Sequence, residues 1–201
     1  MPELSIYTLV LFVHVMSAIV LIGSGLIAPL THRSIREART LTELRRWLAF
    51  SRRSTKWNPV AALALLASGI YLGSIGWWTQ AWFFVAVGAW LLNAALAAGV
   101  VGRAADSLAE AAAAGEGDGL VPAAVDLLRH APRWRLAHDA MLANDVAILW
   151  VMMAKPDLVG SVAVVAVAVA AAAGASWLRR RVDTSQPGHD EPASAMGTTG
   201  R

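Results

Sequence analysis

The sequence predicts an all-α fold, a polytopic transmembrane helical bundle with a four-span core and a fifth span after it. Three observations carry this. Hydrophobic residues make up 57% of the 201 positions and charged ones 15%, with a mean hydropathy of +0.52, a balance that water-soluble domains do not have. The apolar residues arrive in blocks: from Leu4 to Leu30 there is no Asp, Glu, Lys or Arg, enough chain to cross ~30 Å of hydrocarbon at about 1.5 Å per residue. The basic residues, in turn, gather between the blocks, as they do in the cytoplasmic loops of membrane proteins.

The first span is expected over residues 5–30. It lacks the basic leading region of a signal peptide and its apolar run is too long for one, so it is read as a retained helix. Residues 31–57 then carry eight basic side chains (Arg33, Arg36, Arg39, Arg45, Arg46, Arg52, Arg53 and Lys56) against Glu37 and Glu43. Within them Ile35, Ala38, Leu41, Leu44 and Leu48 recur at helical spacing, and Thr40 with Glu43 has the form of a capping box. This pattern predicts an amphipathic helix at the membrane interface, most simply a connector whose arginines fix the topology.

The second span is placed at 58–78 and the third at 81–102, joined by a tight turn at Trp77, Trp78, Thr79 and Gln80. Tryptophans there suit the interfacial belt. Residues 103–137 are polar and helix-prone, with the glycine cluster Gly115, Gly117 and Gly119 read as a flexible joint. The fourth span is expected at 139–155 and the fifth at 158–178, stopped by Arg179, Arg180 and Arg181. The tail, 179–201, is polar and without an apolar face, so disorder is expected there.

Orientation follows from counting. With the N-terminus outside, the inner segments hold sixteen basic residues and the outer ones only Lys155. The expected location is therefore a bacterial inner membrane with the C-terminus in the cytoplasm, arginine being far commoner than lysine and alanine abundant, as in GC-rich bacterial genomes. The net charge of +3 and isoelectric point near 9.9 are explained by these loops and by anionic lipid, so no nucleic-acid partner is expected. The partners to expect are the lipid bilayer and a membrane protein or a second copy of the chain.

Cysteine is absent, which excludes disulfides, thiolate metal sites and cysteine nucleophiles together. No HxxxH, HExxH, phosphate-binding glycine loop or nucleophile elbow occurs. The expectation is therefore no metal and no catalytic residues, and a protein that is not an enzyme.

Ionisable groups inside a span are costly and hence candidates for function. Two qualify, His14 and Asp145. Nine and ten residues from the outer ends of their spans, both are expected about 14 Å deep, where they are proton-relay candidates. On the first helix Tyr7, His14, Ala18, Gly25, Ala28 and His32 share a face; on the fourth, His138, Met141, Asp145, Leu149 and Met152 do. Among the histidines only His32 and His138 are matched in depth, at the inner edge. Gly69 and Gly73, a GxxxG pair in the second span, predict close helix packing.

Two stretches, LVLFVHVMSAIVLIGSGLIAPL in the first span and ILWVMMAKPDL closing the fourth, resemble the bacterial integral membrane family called domain of unknown function 2269. The resemblance covers about Leu4 to Leu158. It implies a membrane topology of four spans, with the fifth as an extension, and no activity. The first-span histidine is also similar to that of copper-resistance D-type proteins and of the small membrane protoporphyrinogen oxidase. That similarity implies His14 as a candidate haem ligand.

Three functions follow as expectations. The first is an accessory, partner-binding or small transport role without a cofactor; the second is a haem or redox protein using His14; the third is a small proton-coupled transporter using His14 and Asp145.

Overall fold

The computed structural model describes residues 5–115 and 117–184, and these are helical almost throughout. Eight α-helices follow one another: α1 (Ile6–Glu37), α2 (Leu41–Thr55), α3 (Asn58–Gly76), α4 (Ala81–Leu96), α5 (Arg103–Ala114), α6 (Ala123–Arg129), α7 (Pro132–Ala154) and α8 (Leu158–Thr184). Five helical rods are long and apolar enough to cross a membrane. α4 and α5 belong to one of these rods, joined by a π-helical segment, Ala97–Gly102.

Several helices outrun the apolar stretches in the sequence. α1 continues past Leu30 to Glu37, α7 begins at Pro132 rather than near Asp139, and α8 passes Arg179 to reach Thr184. The reason is that arginine is a good helix former. Charge marks where hydrocarbon ends and leaves the helix free to continue. The disorder expected of the tail concerns, beyond Thr184, positions outside the described residues.

Caps fix the starts. Ser5 Oγ accepts the Thr8 amide at 3.2 Å. At α2 the Thr40 half of the expected capping box forms, Thr40 Oγ1 accepting the Glu43 amide at 3.2 Å, while Glu43 Oε2 reaches one residue further back and accepts the Arg39 amide at 2.9 Å. Asp157 Oδ1 accepts the Gly160 amide at 2.8 Å in the first turn of α8.

The spans pack in a chain of neighbours, α1 on α3 and α7, α4 on α7, and α8 on α7 and α4. At the tryptophan-rich end Trp82, Phe83, Ala86 and Val151 form a buried cluster. There the Phe83 ring fills the space that a Cβ on Gly73 would need. Lys155, in the left-handed region at φ 47°, ends α7 and sets its ammonium 3.7 Å above the Trp77 ring and 5.7 Å from that of Trp82.

The basic end differs from the interfacial connector that the sequence suggests. Leu44 and Leu48 of α2 are buried against Ile35, Ala38, Leu108, Ala112, Val125 and Trp134, so this helix turns its apolar face to protein rather than lipid. Helical periodicity is the same in either case, and the partners from α5 to α7 lie about sixty residues or more further along the chain.

The glycine cluster is pinned as well. Arg45 donates to the carbonyls of Ala112, Gly115 and Gly117 at 3.0, 2.6 and 3.3 Å. The Leu41 amide donates to Gly119 and the Val121 amide to Arg39. Gly117 takes φ 67°, a conformation in which glycine carries no steric penalty. The Thr42 hydroxyl holds the Asp118 carboxyl below the usual carboxylate range. α2, α5, α6 and the ends of α1 and α7 thus make a packed cap on the bundle.

Candidate functional site

Among the described residues, three polar groups stand out as candidates for function. The first is His14, on α1, whose Nδ1 lies 3.2 Å from the Leu65 carbonyl and 3.1 Å from Ser68 Oγ on α3. A carbonyl only accepts, so its bond requires the proton on Nδ1 and leaves the lone pair on Nε2. Gly69 allows this approach: a Cβ there would stand 3.2 Å from His14 Cε1. The GxxxG pair therefore serves two partners, His14 through Gly69 and Phe83 through Gly73.

The second group lies between α4 and α7. Asn93 Nδ2 donates to Asp145 Oδ1 at 2.6 Å and reaches the Met141 carbonyl at 3.3 Å. Asn144 Nδ2 donates to Asn93 Oδ1 and to the Ala89 carbonyl, each at 2.8 Å. Asn144 is 1% exposed and its Oδ1 has no partner among the described residues. No basic side chain forms an ion pair with Asp145 among these residues. The π-helical segment starts four residues after Asn93.

The structure does not bring His14 and Asp145 together. Asp145 Oδ2 is 3.9 Å from where a Gly25 Cβ would be, and Gly25 is eleven residues beyond His14, about 16 Å along the helix. Depth counted inward from helix ends assumes that the ends are level. α1 and α7 are instead staggered by about three turns. The asparagines, Asn93 and Asn144, are site residues that the sequence reading passed over. Their signal was available as two amides in otherwise apolar stretches, the kind of group that bonds across helices in membranes.

The third group is at the basic end, where the depth-matched histidines do meet. The ring centroids of His32 and His138 are 4.0 Å apart and those of His32 and Trp134 are 4.4 Å apart. Beside them is a cleft lined by residues of α1, α6 and α7. Further up, Asn58 Nδ2 donates to Ser24 Oγ at 2.8 Å, and Asp139 accepts from Ser176 at 2.9 Å and from Arg179, tying α7 to α8.

For a haem the fit is incomplete. His14 has the arrangement of a ligating imidazole, with Nδ1 held by a carbonyl and Nε2 turned away from that bond, yet among the described residues it has no second imidazole at its level. The rings of His32 and His138 are too close to flank one metal, since each would need a ~2 Å metal–nitrogen bond on opposite sides. Among the described residues no three His, Asp or Glu side chains gather as a metal site.

What the arrangement offers is a carboxyl within the spans, bonded to an amide that both donates and accepts, at a junction of three helices. No curated protein and no solved structure matches the chain. Residues 8–156 match the family described as predicted integral membrane protein (DUF2269), a stretch that contains His14, the Asn93–Asn144–Asp145 group and the basic cap, and leaves α8 outside. With the match running through all of the first four spans, the chain belongs to the DUF2269 family of integral membrane proteins.

Proposed function

We propose that this protein is a small transporter that couples its cargo to protons, with Asp145 as the proton carrier. The reading rests on one observation: Asp145, inside the spans, is bonded to Asn93 at 2.6 Å and to no cation among the described residues. An ionisable side chain at such depth is costly, and membrane proteins keep it where charge has to pass.

Asn93 suits both protonation states. An ionised Asp145 only accepts, and Asn93 Nδ2 donates to it. A protonated Asp145 gains an O–H that needs an acceptor, which Asn93 supplies by presenting Oδ1 instead. That oxygen accepts from Asn144 in the present arrangement. Arrival of a proton on Asp145 therefore trades one bond for another between α4 and α7, beside a π-helical segment, an irregularity that recurs at functional sites. His14, at another level, pins α1 to α3 and stands outside this exchange.

The test uses the purified chain in sealed vesicles with a trapped pH indicator. Asp145→Asn is expected to abolish proton-linked flux while leaving the detergent elution profile and helical content unchanged. Flux equal to that of the parent protein would overturn the reading.

We place the basic cap in the cytoplasm and both the N-terminus and Lys155 outside, in the inner membrane of a bacterium. The support is the sixteen-to-one division of basic residues.

A further inference from the structure

We propose that the cleft at the basic end is a binding site for a phosphate group, carried by an anionic phospholipid or by a soluble phosphate. The cleft has a volume of about 210 Å³, and His32, Arg36, Arg129, His130, Trp134 and Arg135 line it; no carboxylate does. Arginines of three elements, α1, α6 and α7, thus line one space, the one on α6, Arg129, being already paired with Asp126. A guanidinium presents its donors in a planar fork that matches phosphate oxygens.

Two further observations point to a ligand that accepts hydrogen bonds. Trp134 is 5% exposed, and its indole N–H has no acceptor among the described residues. A buried donor without a partner is uncommon and costly. Ala131 and Pro132, which also line the cleft, begin α7, a helix of 23 residues with no side chain capping its start. Pro132 has no N–H and the Trp134 amide donates to the Ala131 carbonyl, so it is the Arg133 amide and the positive end of the dipole that favour an anion.

The framework is fixed before any ligand arrives. Arg129 is 10% exposed, is paired with Asp126, and donates to the carbonyls of Ile35 and Ala38. It orients the cleft, whereas Arg36 and Arg135 are the arginines whose replacement leaves those bonds alone. Height favours the lipid as the source. His32 and Arg36 are two and six residues past Leu30, about 3 and 9 Å beyond the apolar stretch of α1, the zone of phospholipid headgroups. Basic pockets between helices at this level hold lipid phosphates. The site is separate from Asp145, and its test does not involve flux.

The experiment is native mass spectrometry of the full chain with phosphatidylglycerol and with phosphatidylcholine. Parent protein, Arg36→Gln, Arg135→Gln, Trp134→Phe and, as a control outside the cleft, Arg53→Gln are compared, with melting curves to establish folding. Expected is preferential retention of phosphatidylglycerol, reduced about fivefold by each arginine substitution in the cleft, reduced also by Trp134→Phe, and unchanged by Arg53→Gln. Competition with inorganic phosphate separates the sources. Displacement of the lipid identifies a site that accepts free phosphate, and retention despite excess phosphate identifies a headgroup site. Equal retention of the two lipids without phosphate binding, or equal loss in Arg53→Gln and the cleft variants, overturns the proposal.

Discussion

At the scale of single residues the spans are organised by a few polar side chains whose partners are other helices. Asn144 links Ala89 and Asn93 of α4 to α7. Replacing it with leucine keeps the branched shape but leaves Asn93 Oδ1 and a main-chain carbonyl short of a donor. Asn144→Leu is expected to lower stability by about 1 kcal/mol, read as earlier loss of helicity on heating in detergent. A melt identical to the parent's would show the amide to be dispensable. His14 and Asp145 were legible in the sequence because an ionisable group stands out in a hydrocarbon-length run. The pairing of Asn93 with Asn144 was not, since an uncharged amide does not name its partner and their mutual contact spans 51 positions of chain.

Among elements, the cap of α2 could be read far better than helix ends or faces. The Thr40–Glu43 bond was visible because both partners are local. The burial of α2 against α5 and α6 was invisible, because one amphipathic pattern satisfies a lipid surface and a protein groove alike. The same holds for Gly69 and Gly73, whose spacing signals close approach without naming what approaches. Gly73 meets Phe83 of α4, whereas Gly88 has open space around it. Gly73→Leu is therefore expected to separate α3 from α4 and reduce folded yield in detergent, while Gly88→Leu, on a helix face with room, keeps the parent's yield. Equal behaviour of the two variants would contradict the packing. The π-helical segment had no sequence signal, as its residues, Ala97 to Gly102, read like any small-residue helix.

For the whole molecule the fold class and the five helices were legible, since apolar length is a property of composition alone. The stagger of α1 against α7 and the packed cap were not, being set by contacts between distant parts of the chain. The basic cap gives the orientation a direct check. A reporter active only in the cytoplasm, fused after Arg129, is expected to be active, and one fused after Lys155 silent; the reverse would invert the topology. Lys155 itself has a role beyond the count of charges. It ends α7, yet its ammonium rests on Trp77 and Trp82, which flank the turn from α3 to α4. One cation thereby stitches the α3–α4 hairpin to the α7–α8 hairpin at the rim, with ring faces in place of a carboxylate counterion.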